Sequence, residues 1–344
     1  MDRRYRPQHN GMQGPDMKRT RGRARSGAMM LCTAATLVVS GCDSMDPHPL
    51  PHEALGLASI ADAGLDERNV SLSTAELPRQ IDAAVALADS RGARLTVAVL
   101  DRESGTRVVG GSDEPFETAS TVKLFIAEEV LYREAVGEVT LADEDRELIR
   151  SMLRSSDDNA ATVLWEAYGG PEIVEHAVER HDLTGTTPPD PESWWWNTTT
   201  TASDMLTWYD DLLGDSASGE ESAARIVGHL SEYTDEGVDG YDQSFGLPEG
   251  VGDSTDLGVK QGWMCCLAGE WLHLSTGFLG ADHRFVVVVA AREAVTYDES
   301  DPLYETGFLP DTALYDATDD GSAQHARETV TLAVETTLGT AHRP

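Results

Sequence analysis

The sequence predicts an α+β protein, an α/β sandwich in which a five-stranded antiparallel sheet is flanked by N- and C-terminal helices and carries an inserted all-helical lobe. Three observations predict it. Strand-like runs occur near both ends of the globular part: "LTVAVLD" and "GTRVVGG" early, then "DLGVKQGWM", "WLHLSTGFL" and "RFVVVVAAR" late. The residues between them, about 120–240, are mostly helical in period. A helix-forming segment stands outside each strand group, "TAELPRQIDAAVALADSRG" before and "AQHARETVTLAVETTL" after.

In the first helix apolar residues recur at helical spacing, with Thr74 as a candidate cap and Gly92 as its end. The next two strands are joined through a short Glu-Ser turn, which predicts a hairpin. "STVKLFIAEEVLYREA" then reads as a helix that is apolar over most of its first turns, as a buried central helix should be. The helical block is interrupted by "TGTTPPDPESWWWNTTTT", a loop rich in Pro and Thr.

Composition narrows the function. The chain has 344 residues and a formal charge of −34, which argues against nucleic-acid binding, since that requires a basic face. Eight Arg and Lys residues between Arg3 and Arg25 precede the 13-residue apolar run "AMMLCTAATLVVS", which suits a signal peptide and is short for a membrane span. Met17 begins a sufficient basic region by itself. The run ends in "VSGC", which resembles the lipobox of bacterial lipoproteins; the resemblance implies lipidation of Cys42, with the protein anchored extracytoplasmically to the cell membrane. Loss of residues 1–41 removes eight positive and two negative charges and leaves a mature charge of −40.

The expected organisation is therefore a signal peptide with lipobox (1–41), a flexible Pro- and Asp-rich tether (42–72) and one globular domain (73–344). His48 and His52 fall in the tether, and no HExxH or CxxC spacing occurs, so neither a metal nor another cofactor is expected. Cys265 and Cys266 are adjacent and open to three fates: a vicinal disulfide, pairing between chains, or free thiols.

The chemistry concentrates in three short motifs. Ser120 and Lys123, in "STVK", are three apart at the start of a predicted helix, and so share a face. A serine hydroxyl needs a base to become a nucleophile, and a buried lysine with its pKa lowered can be that base. Ser156-Asp157-Asp158-Asn159 follows, and Lys260-Gln261-Gly262 lies on a predicted strand. The whole sequence holds three lysines, Lys18, Lys123 and Lys260, against 23 arginines. The mature chain thus places its two lysines in the first and third motifs. Arginine cannot give up its proton and could not replace Lys123 as a base.

This order of Ser-x-x-Lys, an SDN-like turn and a Lys-x-Gly strand resembles serine β-lactamases and penicillin-binding proteins, and within them the class A β-lactamase branch. Phe116, four residues before the serine, and "NTTTTASDM", similar to the Thr-rich end of that family's Ω-loop, extend the likeness over about residues 75–340. The resemblance implies an acyl-enzyme on Ser120, with Lys123 taking its proton and Ser156 relaying a proton to the leaving nitrogen. It further implies that Lys260 holds a substrate carboxylate and keeps the Lys123 pKa low, and that the backbone N–H groups of Ser120 and Trp263 form the oxyanion hole. Expected substrate contacts are Asp158 or Asn159, Gln261, Gly262 and Trp194. The implied substrate is a β-lactam, hydrolysed at its amide, or a peptidoglycan stem peptide cut by a D,D-carboxypeptidase. A silent lipoprotein that binds a cell-wall ligand is the rival from outside the enzymes.

The sequence departs from the family in three places. Asp158 stands where the family usually has Asn, with Asn159 one position late, and Gln261 replaces a Thr or Ser. The Ω-loop lacks the family's Glu-x-x-Leu-Asn setting, leaving Glu192 as the candidate deacylation base beside Asp190. Trp194, Trp195 and Trp196 either wall the site or pack the loop down.

Overall fold

The computed structural model describes residues 72–192, 194–252, 256–310 and 317–340. The expected signal peptide, Cys42 and the tether up to residue 71 lie outside the described residues.

Helix α1 (Leu77–Ser90) begins with Pro78 in its first turn, where a missing N–H costs nothing. Its capping position is Glu76 rather than Thr74, and it ends at Gly92, whose φ of +86° suits glycine. The hairpin follows as β1 (Ala93–Asp101) and β2 (Thr106–Gly111). A two-residue strand, β3 (Phe116–Glu117), precedes a 3₁₀ turn, Ala119–Val122, from which α2 (Lys123–Ala135) continues.

The helical lobe adds α3 (Asp143–Arg154), α4 (Asp158–Tyr168) and α5 (Pro171–His181). It continues with a second two-residue strand, β4 (Thr199–Thr200), then α6 (Ala202–Leu213) and α7 (Glu220–Ser231). A five-residue helix, α8 (Leu247–Val251), leads back to the sheet through β5 (Gly258–Leu267), β6 (Glu270–Leu279) and β7 (Phe285–Ala294). Helix α9 (Gly321–Leu338) closes the fold; the Asp320 carboxylate accepts from the N–H groups of Ser322 and Ala323 to cap it.

The five long strands form one antiparallel sheet, as the sequence predicts, and their order in it is β2-β1-β7-β6-β5. Strand alternation divides the core in two. Ala98, Leu100, Val286, Val288 and Ala290 face the helical lobe, whereas Val97, Val99, Val287, Val289 and Ala291 face α1 and α9. Strand β5 is an edge strand, and that edge meets the 3₁₀ turn carrying Ser120. The β3–β4 pair was not predicted from the sequence. It joins Phe116 to Thr200 and Glu117 to Thr199, tying the Thr-rich end of the long loop to the residues before Ser120.

Charge is buried deliberately in the lobe. Glu128 on α2 accepts from His181 Nε2 at 2.7 Å and from Trp208 Nε1 at 2.8 Å, while His181 Nδ1 meets Asp211 at 2.9 Å. Burial alone would push the His181 pKa down, but the Glu128 and Asp211 contacts outweigh it and the pKa is raised. Glu128→Ala should therefore destabilise the protein by about 1–3 kcal/mol or more in urea unfolding, because it leaves the buried N–H groups of His181 Nε2 and Trp208 Nε1 without their acceptor. The His181 contribution has a defined pH dependence: with its folded pKa above the unfolded value of about 6.5, it is complete below that pH. The stability gap between wild type and His181→Gln should shrink as pH rises through the raised folded pKa; a gap that widens there would contradict the assignment.

Candidate functional site

The site is assembled from three elements: the 3₁₀ turn with the start of α2, the turn before α4, and β5. A 3₁₀ turn has three residues per turn, so residues i and i+3 eclipse one another. Ser120 and Lys123 accordingly stack, with Lys123 Nζ 2.8 Å from Ser120 Oγ. Ser120 is not a helix cap, since neither the 3₁₀ turn nor α2 has a side-chain cap bond. Ala119, just before it, has a φ of +43°, an unusual backbone state for a non-glycine residue.

The second element turns sharply at Ser156, whose φ is +53°. Asp157 then caps α4 by accepting from the N–H groups of Asn159 and Ala160. This brings Ser156 Oγ to 3.1 Å from Lys123 Nζ and 2.9 Å from Lys260 Nζ, so both lysines meet one hydroxyl. Lys123 also donates to the Ser156 carbonyl at 2.7 Å and to Asp158 Oδ1 at 2.6 Å. Asp158 is therefore the residue of the pair that reaches the lysine. Asn159 is exposed in the first turn of α4 and makes no hydrogen bond to the cluster.

Strand β5 places Lys260 and Gly262 on its lobe-facing side and Gln261 and Trp263 on the other. Lys260 Nζ also donates to the Gln261 carbonyl at 2.9 Å, which points off the free edge of the sheet. By the same alternation the Trp263 N–H, two residues on, leaves by that edge. Gly262 is required for closeness: a Cβ there would lie 3.3 Å from the Ser120 nitrogen and 3.1 Å from the Thr118 oxygen.

Gln261 corrects an expectation. It is buried, and its amide donates to the carbonyls of Gln243, at 3.1 Å, and Phe245. It holds the segment before α8 instead of facing a substrate. Trp263 stacks on Tyr241 with centroids 4.7 Å apart, leaving only its backbone to the site.

The electrostatics follow from burial. Lys123 and Lys260 are both enclosed, at 0% and 1% exposure. Desolvation lowers the Lys123 pKa, opposed by the charges of Asp158, Asp239 and Asp157. Lys260 is pushed well below the ordinary lysine value, by burial first and then by the charge of Lys123. Asp239 was not singled out in the sequence; burial, reinforced by the Asp158 charge, raises its pKa.

The long loop divides its tryptophans. Trp195 is buried, with its ring centroid 5.0 Å from Lys123 Nζ and its indole N–H donating to Thr162 at 3.2 Å. Trp194 is 48% exposed and stacks on Trp196. Trp194 was the expected contact, but the tryptophan against Lys123 is Trp195. Glu192 is exposed; its carbonyl accepts from Trp165 Nε1 at 3.1 Å, and its carboxylate makes no hydrogen bond to Ser120 or Lys123. The carboxylate on Lys123 is that of Asp158. Nearby, Cys265 and Cys266 are joined to each other as a vicinal disulfide at the β5–β6 turn.

The architecture is that of the class A β-lactamases. The ancestral class A β-lactamase reconstructed for Gram-negative bacteria superposes with a TM-score of 0.54 at 22% identity, over 77% of this chain and all of that one. The β-lactamase of Sphaerobacter thermophilus gives 0.54 at 19%, over 77% and 99%. The class A β-lactamase of Mycobacterium abscessus gives 0.52 at 19%, over 76% and 98%. No family model matches the chain. Among curated proteins, "Putative lipoprotein LppW" of Mycobacterium tuberculosis, and the protein of the same name in Mycobacterium bovis, is 41% identical over 215 residues, 62% of this chain and 68% of the relative. The chain belongs to the same family as these LppW proteins.

The reassignment of Gln261 can be checked. Gln261→Leu should cost about 1–3 kcal/mol by stranding two buried carbonyls, seen as a lower urea midpoint. It should leave modification of Ser120 by a serine-directed acylating reagent within about twofold, the small change expected of a residue outside the reacting atoms. Unchanged stability with lost modification would return Gln261 to the substrate site.

Proposed function

We propose that the protein is an extracytoplasmic serine acyltransferase or hydrolase, anchored through lipid on Cys42, that forms an acyl-enzyme on Ser120 with a β-lactam amide. The observation that carries this reading is the unbroken hydrogen-bonded chain Ser120–Lys123–Ser156–Lys260. In the reaction Ser120 Oγ bonds to the amide carbon and gives its proton to neutral Lys123. The carbonyl oxygen takes negative charge facing the N–H groups of Ser120 and Trp263, an arrangement worth about 3–4 kcal/mol in related chemistry. The C–N bond then breaks, and the leaving nitrogen takes a proton through Ser156. Lys260 supplies the charge that holds a substrate carboxylate. Hydrolysis of the resulting ester by water completes the turnover. Asp158 cannot donate to a substrate carbonyl as an asparagine would, so the cleft favours ligands that present an N–H there.

A second reading concerns the last step. Trp195, and no carboxylate of the long loop, stands against Lys123, and Glu192 is exposed. This favours fast acylation with slow release, the behaviour of a penicillin-binding protein acting on stem peptides, over efficient β-lactam turnover. A lipoprotein that only binds a cell-wall ligand is the remaining alternative.

Intact-mass measurement during incubation with a reporter penicillin separates the three. An adduct that persists for hours supports the penicillin-binding behaviour, and one that decays within minutes supports hydrolysis. Ser120→Ala should abolish both. The absence of any adduct across all concentrations and pH values leaves the ligand-binding lipoprotein.

A further inference from the structure

Ordinary proton counting at Lys123 exposes a role for Asp158 that rests on the acyl-enzyme reading. Lys123 Nζ has four oxygen neighbours: Asp158 Oδ1 at 2.6 Å, the Ser156 carbonyl at 2.7 Å, Ser120 Oγ at 2.8 Å and Ser156 Oγ at 3.1 Å. The carboxylate and the carbonyl can only accept, so they take two N–H groups whatever the charge state. As an ammonium, Lys123 sends its third proton to a serine hydroxyl and has no lone pair to receive one. As a neutral amine, it keeps the first two bonds and its lone pair faces Ser120. The charge state of one nitrogen therefore decides whether Ser120 accepts or donates in this bond.

We propose that Asp158 is a positioning residue for the Ser120–Lys123 pair: its carboxylate holds Lys123 as an ammonium, so that Ser120 gains its base only when that ion pair is loosened. The pair is lopsided, with Lys123 side chain fully enclosed and that of Asp158 69% exposed. A ligand or a proton arriving from solvent thus reaches the carboxylate before it reaches the amine. A ligand N–H that takes Asp158 would free Lys123 in the same event that seats the acyl group beside Ser120.

The other groups facing Lys123 act around this contact without replacing it. Asp157, also at the start of α4, is occupied by the N–H groups of Asn159 and Ala160 and by Ser151 Oγ at 2.9 Å. Asp239, in the turn before α8, accepts from the Tyr241 N–H at 3.0 Å. Lys260 on β5 is itself pushed down by burial and by the charge of Lys123, and the Trp195 ring favours the ammonium. Asp158 is the carboxylate in direct contact.

The scarcity of lysine makes the test direct. The full chain labelled with ¹³C at lysine Cε gives resonances from Lys18, Lys123 and Lys260, with Lys123→Met identifying the Lys123 signal. Asp158→Asn should lower the Lys123 titration midpoint by about one unit, the low end of the shift for an adjacent opposite charge because Asp158 is exposed. The acid limb of Ser120 adduct formation with a reporter penicillin should move down with it. At a pH below both midpoints that is about tenfold faster labelling per unit. Asp158→Glu should restore the wild-type midpoint, which a merely structural role would not require. An unchanged or raised midpoint in Asp158→Asn overturns the proposal, even if adducts form normally. A lowered midpoint without an adduct in any variant retains Asp158 as the counter-ion and removes the acyl-enzyme reading instead.

Discussion

Two amines buried against one hydroxyl set the terms for this structure. Taking an ammonium out of water costs several kcal/mol, and a second amine nearby raises that cost. Lys123 and Lys260 tolerate it because every polar contact around them is an oxygen, and the backbone is bent to supply those oxygens. Ser156 adopts a left-handed conformation that turns both its carbonyl and its hydroxyl toward Lys123. Gly262 lets the edge of β5 approach the backbone of Ser120 closely. The strained Ala119 sets the direction of the 3₁₀ turn. Each of these local departures is intelligible as a consequence of keeping one nitrogen, or two, dry and ligated.

Much of this was legible before any coordinates. The five long strands announced themselves by β-branched runs such as "RFVVVVAAR", and their antiparallel sheet follows from the grouping. Lys123 and Lys260 stood out because the chain uses arginine elsewhere. Gln261 was expected at the substrate, although a residue next to Lys260 on a strand points to the opposite face. The choice between Asp158 and Asn159 was not readable, because it depends on where the turn at Ser156 lets α4 begin. Nor was the inward tryptophan of "WWW", which is fixed by a 3₁₀ turn at Trp195–Asn197. Elements as short as β3, β4 and α8 carry too few residues for a period to register.

The likeness to class A β-lactamases and the kinship with LppW speak to different levels of the molecule. A shared architecture at about one-fifth identity means that the sheet, the lobe and their junction survive nearly complete replacement of side chains. At the junction itself a carboxylate faces Lys123 and an indole stands behind it. Both groups bear on the charge and solvation of the Lys123 nitrogen.

The β3–β4 pair has a consequence for the long loop. Thr187 and Thr199 also bridge to each other, and the Thr187 and Thr199 hydroxyls share a hydrogen bond, so the loop is closed at its neck. The described residues between them are fastened by the Trp165 and Trp195 indole N–H groups and by the Thr118 N–H, which donates to the Thr198 carbonyl at 2.7 Å. Apart from Trp195, which packs in the core of the lobe, such a loop is closed on itself. Doubling its length would add only about 0.6 kcal/mol of closure entropy. The roof over Lys123 can therefore be lengthened, shortened or rewritten while the floor of the site stays where it is.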